Sequence, residues 1–199
     1  MEIIEIDYSH SSCLVEEKEA EDFIEQYNAK IYSDKELERI QIGELHFSIY
    51  KIDESLGIVS LYDLFDTTID DSSYLTAFFD IEMNAKDEIE CLFEDGDIFI
   101  LKQILLTKDY RGKGIGKRVI NHLISKFSSS SRYFFLKPFP LQMCGSSILK
   151  TKLDKDEVDF NSLNKDENIS SFKLKQFYSS IGFKEFNNLM VLDTLNIDS

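Results

Sequence analysis

The chain has 199 residues, a formal net charge of −15 and 43% hydrophobic residues, sixteen of them Phe. That length and apolar content suit one domain with its own core, without disulfides or metal, while the acidic balance makes nucleic acid a poor partner. Met1 to Ala20 is acidic and has no apolar h-region, and no run approaches a membrane span, so the expectation is a cytoplasmic protein that does not engage a membrane.

Glu2 to Asp7 intersperses Ile3, Ile4 and Ile6 with acids and reads as a first strand. Cys13 to Ala29, with Leu14, Val15, Phe23, Ile24 and Tyr27, has the spacing of an amphipathic helix whose acids Glu16–Asp22 face solvent. Ser33 opens S-D-K-E-L-E, a capping sequence for a second short helix. Ile40 to Ile52 and Leu56 to Leu64 read as strands paired through Asp53-Glu54-Ser55. Asp66 to Asp71 is an acidic turn, and Ser72 to Phe93 predicts two short helices over one side of the sheet. Phe78 and Phe79 there are open between core and a dimer interface. Glu94-Asp95-Gly96-Asp97 is a turn that launches the next strand.

That strand is apolar on both alternating faces, with Phe99, Leu101 and Gln103 on one and Ile98, Ile100 and Ile104 on the other, as a buried central strand requires. Arg111-Gly112-Lys113-Gly114-Ile115-Gly116 follows and opens a helix over Lys113–Phe127, whose Val119, Leu123 and Phe127 share a face. Three glycines in five residues let the backbone approach a ligand closely, and the unpaired first-turn N–H groups of a helix suit an anion. Between Lys102 and Arg118 stand six basic residues against Asp109 alone, so the rest of the chain is more acidic still. Lys and Arg at a helix N-terminus oppose its dipole; that placement, coinciding with an anion-shaped turn, points to phosphate. A Walker loop fails because Arg111 and Arg118 occupy required positions, and a dinucleotide fingerprint fails because its third glycine falls at Lys117.

Ser128 to Ser131 is a linker and Arg132 to Lys137 another strand. The two prolines of the chain, Pro138 and Pro140, then end ladder pairing, either as a plain strand end or as the point where this strand leaves the central one and opens a cleft. Residues 141–170 are polar and read as a surface insertion. Phe172 to Ile181 is a short helix closed by Gly182, and Phe183–Phe186 with Leu189–Leu192 finish as a strand pair. Cys13, Cys91 and Cys144 are odd in number and scattered, as for buried thiols in a reducing compartment. Without a CxxC, and with His10, His46 and His122 lacking ligand spacing, no metal is expected.

Arg111, Gly114 and Gly116 match Gln/Arg-x-x-Gly-x-Gly/Ala, and Phe177 to Phe183 (FYSSIGF) matches F-Y-x-x-x-G-F, in that order with a strand between. On these residues the stretch Asp97–Asp193 resembles motifs A and B of the GNAT superfamily of N-acetyltransferases. The resemblance implies an α/β (α+β) fold: a mixed, mostly antiparallel central sheet flanked by helices, with two central strands splayed, in a single domain over residues 1–199. It implies acetyl-coenzyme A as cosubstrate, with Arg111, Gly112, Lys113, Gly114, Ile115, Gly116 and Lys117 at the pyrophosphate and Ile104, Leu105 and Leu106 along the pantetheine arm. It also implies transfer of an acetyl group to a primary amine, with Tyr178 as general acid toward the departing thiolate. A phenol with a pKa near 10 keeps its proton at neutral pH.

The acidic surface favours a cationic acceptor such as a polyamine, an aminoglycoside, a lysine side chain or a protein N-terminus. Gln103 stands where many relatives carry a catalytic carboxylate, and Ser171 where they often carry Asn. Asp66, Glu82 and the acids between Asp87 and Asp97 remain as candidate bases, and a coenzyme-binding module without transfer activity is the alternative. Homodimers are common in the superfamily.

Overall fold

The computed structural model describes residues 3–11, 19–35, 38–52, 61–66, 72–87, 89, 96–143 and 151–196. Among them are the strands β1 (Ile3–Ser11), β2 (Ile24–Lys35), β3 (Glu38–Tyr50), β4 (Ile98–Leu106), β5 (Tyr133–Leu136), β6 (Lys184–Phe186) and β7 (Leu189–Asp193). They form one sheet in the order β1-β2-β3-β4-β5-β7-β6. Every neighbouring pair is antiparallel except β4 with β5. The helices are α1 (Leu61–Asp66), α2 (Ser72–Phe78), α3 (Ile115–Phe127), α4 (Lys155–Val158) and α5 (Glu167–Ser179). This mixed α/β architecture is consistent with the GNAT-like fold that the motifs imply. No described helix is long and apolar enough to cross a membrane.

The first half of the chain departs from its predicted elements. Over the expected helix Cys13–Ala29, a short 3-10 turn at Ala20–Phe23 leads straight into β2; residues 12–18 lie outside the described residues. Ile24, Tyr27 and Ile31 satisfy a helical spacing as well as they fit a strand, and pairing decides: Tyr27 sits opposite Phe47 with the rings stacked 4.6 Å apart. The expected helix at Ser33 is instead the end of a hairpin, where Asp34 pairs with Arg39 and Lys35 with Glu38. β3 pairs onward with β4, and the end of the second expected strand is α1. Of the helical pair expected over Ser72–Phe93, α2 forms and is followed by a tight turn closed between Asp80 and Asn84; Asp87 and Ile89 are again helical, while residues 88 and 90–95 lie outside the described residues. Phe78 and Phe79 both belong to the core, at 0% and 5% exposure. Cys13, Cys91, Cys144 and the connections at 53–60 and 67–71 lie outside the described residues.

Two apolar clusters clamp the sheet. On one face, Val119, Ile120, Leu123 and Ile124 of α3 and Tyr178 of α5 pack on β2 to β5 and β7. On the other, Leu64 and Phe65 of α1 and Tyr74, Ala77 and Phe78 of α2 pack on Tyr50, Ile98, Ile100 and Phe135. An aromatic row beneath α3 crosses five strands. His10, Tyr27, Phe47, Phe99 and Phe134 stack in turn with ring centroids 4.9, 4.6, 4.7 and 4.5 Å apart.

β3 and the end of β4 approach so closely that only glycine fits at position 43. A Cβ there would stand 2.5 Å from the Leu105 carbonyl oxygen and 2.8 Å from Leu106 Cδ2. Gly43→Ala is expected to lower stability by about 2 kcal/mol, because the obstructing atom is backbone and cannot swing aside. A denaturant titration read at its midpoint checks this, and an unchanged midpoint would contradict it.

Burial pushes the hydroxyls of Tyr8, Tyr27 and Tyr178 up to about 12, with hydrogen bonding to Glu25 and its charge adding to the effect at Tyr27. Below the ordinary tyrosine value of about 10, both folded and unfolded chains keep these protons. Between pH about 10 and about 12 the unfolded chain releases protons that the fold retains, so stability falls as pH rises through that window. Denaturation midpoints taken on either side of pH 10 should show the loss on the alkaline side only.

Candidate active site

The parallel pair β4–β5 runs for four rungs, from Ile98↔Tyr133 to Leu101↔Leu136, and then stops. β5 passes into Lys137-Pro138-Phe139-Pro140, and proline has no N–H with which to continue a ladder. Among the described residues, β4 continues to Leu106 paired with β3. The prolines therefore mark a divergence of the two strands: among the described residues no strand pairs with β4 on that side beyond Leu101. At the same level β4 carries a bulge: Leu101 pairs with Phe47 and Gln103 with His46, which leaves Lys102 as the extra residue. The bulge reverses the alternation expected for this strand. Ile104 and Leu106 pack with the cluster of Phe99 and Leu101 beneath α3, rather than on the face of Ile98 and Ile100.

The glycine turn follows. Gly114 is the N-cap of α3 in the left-handed region, with φ +76°, and no side chain caps the helix. The first N–H to close onto the helix is that of Arg118, to the Gly114 carbonyl at 3.1 Å. The N–H groups of Ile115, Gly116 and Lys117 thus precede the hydrogen-bonded ladder, as the start of a helix dictates. A Cβ built at Gly112 or Gly114 meets no protein atom within 4 Å, so the turn borders open space.

Between this turn, the end of β4 and α5 lies a cavity of about 690 Å³. Nine of the ten residues expected to hold the coenzyme line it; Lys113 does not, and its Nζ lies 5.1 Å from the Tyr110 ring centroid. Tyr178 lines it too, so both motifs meet at one cavity. Its wall also carries Lys102, Lys137 and Lys173, which motif reasoning did not select. With Arg111 and Lys117 that makes five cationic side chains and, among the described residues, no carboxylate. The signal for Lys137 was its position just before the prolines that end β5.

Arg111 and Lys117 also hold the walls in place. Arg111 Nε donates to the Leu106 carbonyl at 3.0 Å and Nη2 to that of Val158, while its guanidinium lies 5.8 Å from the Phe160 ring centroid. Its Nη1 is buried without a hydrogen-bond partner. Burial lowers the affinity of the guanidinium for its proton, and the charge of Asp159 opposes that effect; an arginine nonetheless stays charged. Lys117 Nζ donates to the Ser180 carbonyl at 2.9 Å, joining the start of α3 to the end of α5. The described part of the expected insertion is docked rather than loose: the buried Glu44 carboxylate accepts from Thr151 Oγ1 at 2.8 Å and from the Lys152 N–H at 3.1 Å, and Val158 is buried.

Tyr178 is 7% exposed, with its ring edge-on to Phe177 and Phe183. None of the described acids weighed as a base lines the cavity: Asp66 and Glu82 are exposed, and Asp97 accepts from Lys51 Nζ at 2.8 Å. His46 Nδ1 lies 2.5 Å from Asn28 Oδ1, while His10 and His122 are exposed beside Tyr27 and Tyr8. Among the described residues no group of three His, Cys, Asp or Glu could hold a metal ion.

No family model matches the chain, and no curated protein does. Among solved structures it is similar to a crystal structure of a tyrosine-to-phenylalanine mutant of KacT, with a TM-score of 0.42 and 13% identity, over 88% of this chain and 74% of that one. The fold assignment therefore rests on the sheet topology, and any functional reading on the cavity beside the end of β4.

Proposed function

We propose that this protein is a cytoplasmic N-acetyltransferase that moves an acetyl group from acetyl-coenzyme A to a primary amine. The observation behind this reading is the cavity wall: five cationic side chains without a described carboxylate, in a chain of charge −15, opening on the N–H groups at the start of α3. A wall of this composition attracts an anion.

The residues present fit the coenzyme. The main chain of Gly112–Lys117 would hold the diphosphate, with Arg111 and Lys117 beside it, and the apolar Ile104, Leu105 and Leu106 suit the pantetheine arm along the end of β4. The substrate supplies the thioester. N–H groups of that strand would polarise its carbonyl as negative charge grows on oxygen. The amine nitrogen bonds to the carbonyl carbon, the C–S bond breaks, and the proton shed by nitrogen ends on the thiolate, so the transfer is balanced. With its pKa pushed up to about 12 by burial, Tyr178 is a weaker acid than a thiol of about 8.5. Its part is thus to donate a hydrogen bond to the departing sulfur rather than to give up its proton outright.

Calorimetric titration with acetyl-coenzyme A, coenzyme A and ATP, followed by thiol release over a panel of amines, tests this. The expected result is coenzyme binding at least about tenfold tighter than ATP, and thiol release with one or more amines. A second reading, a coenzyme-binding module that transfers nothing, is favoured by the lack of a described carboxylate in the cavity to serve as base. Tight coenzyme binding without release on any amine would support it, and a preference for ATP would refute both.

A further inference from the structure

Among the described residues Glu44 is the one charged side chain that is buried, at 5% exposure. A buried carboxylate is costly unless hydrogen bonds replace its water. Gln41 Nε2 donates to it at 3.2 Å, and its other donors stand 107 and 108 residues further on: Thr151 Oγ1 at 2.8 Å and the Lys152 N–H at 3.1 Å. The segment that begins with those donors is tied at its far end to Arg111. The Val158 carbonyl accepts from Arg111 Nη2, and the Phe160 ring centroid lies 5.8 Å from the guanidinium. Asp159, between them, has φ +45°, a conformation uncommon outside glycine, asparagine and aspartate, and its charge acts on the guanidinium as well. Arg111 Nε in turn donates to the Leu106 carbonyl. Leu106 pairs with Gly43 and Leu105 with Glu44, so both ends of the segment return to neighbouring rungs of one ladder. Residues 151–158 therefore form a strap from the buried carboxylate to the guanidinium. Phe160, Leu163 and Asn164, just beyond it, line the cavity with Arg111.

This strap decides which donors Arg111 has left. Nε and Nη2 are engaged by two carbonyls, which fixes the guanidinium plane, while Nη1 is buried without a hydrogen-bond partner. A buried donor left unpaired is destabilising, and a charge-assisted bond to an anionic oxygen removes that penalty. We infer that Glu44 is a positioning residue for the anionic end of the ligand: through the 151–158 strap it holds Arg111 so that Nη1 meets an oxygen of the coenzyme's diphosphate. The inference rests on the acyltransferase reading, which places the diphosphate at the Gly112–Lys117 turn beside Arg111. It gives the polar stretch after the prolines a part in holding the coenzyme, although neither motif includes it.

Calorimetric titration of coenzyme A into the full chain tests this. Glu44→Gln sets an amide among the three donors and unties the strap, so coenzyme affinity is expected to fall about tenfold. Thr151→Val removes one donor from the other side of the same bond and should lower the affinity by about threefold. It reports even if Glu44→Gln fails to fold. Both changes are then repeated in Arg111→Gln. With the guanidinium gone, each loss should shrink to about twofold or less, because residues that act through one another are not additive. Equal losses in the two backgrounds would make the strap a purely structural part and overturn the inference, and so would unchanged affinity in both strap variants. Either result leaves the coenzyme site standing. Failure of the unsubstituted chain to bind coenzyme A would instead remove the acyltransferase reading and this role with it.

Discussion

Gly114→Ala is expected to weaken coenzyme A binding by roughly 10²-fold, the loss of about 2–3 kcal/mol that follows when a charged ligand is pushed off its hydrogen-bond donors. The new methyl group would meet no protein atom within 4 Å, so the fold has no steric objection to it. The methyl group is added at the N-cap, one residue ahead of the Ile115, Gly116 and Lys117 N–H groups that would hold the diphosphate under the proposed function. The backbone penalty of a non-glycine residue at φ +76° is about 1–2 kcal/mol, which the chain should survive. Gly182→Ala is the matching control, since φ is +116° there and the Cβ would come 3.1 Å from Leu192 Cδ1, away from the cavity. It should lower stability and leave the coenzyme affinity close to wild type. If Gly114→Ala binds coenzyme A as tightly as the parent, the main chain of this turn does not hold the phosphates.

Tyr178→Phe is expected to slow turnover by about 10²-fold while changing coenzyme affinity by no more than about twofold. The substitution keeps the ring against Phe177 and Phe183 and removes only the hydroxyl. Because burial pushes that hydroxyl up to about 12, its ionisation cannot shape the pH–rate profile between about pH 6 and about pH 10. Wild type and variant should therefore give parallel profiles over that range, offset by a constant factor. Turnover within a few-fold of wild type at every pH would remove Tyr178 from the reaction and leave it a wall residue.

The residues that could be read in advance act locally. A glycine that must adopt positive φ, the unpaired N–H groups of a helix start and a strand apolar on both faces are properties of a dozen neighbouring residues. So are the prolines that end β5. The turn at Arg111–Lys117, α3 and the end of the β4–β5 ladder were accordingly visible in the order of the amino acids. Strand and helix could not be told apart over Ile24–Ile31, where apolar residues satisfy both periods and the choice falls to Phe47, twenty residues further on.

The bulge at Lys102 is the same problem in sharper form. It arises from how β4 must meet β3, some 50 residues earlier in the chain, and it changes which face Ile104 and Leu106 present. The β4–β5 ladder also stops at Leu101↔Leu136, short of Lys102 and Lys137, while the fold turns Arg111 toward the carbonyls of Leu106 and Val158 and brings Glu44 to the 151–153 segment. Local backbone geometry was thus enough to reveal a glycine turn that opens a helix with unpaired N–H groups. The charge pattern of the cavity and the direction of its strand edge came from partners distant in the chain, because register and burial are set only when those partners meet.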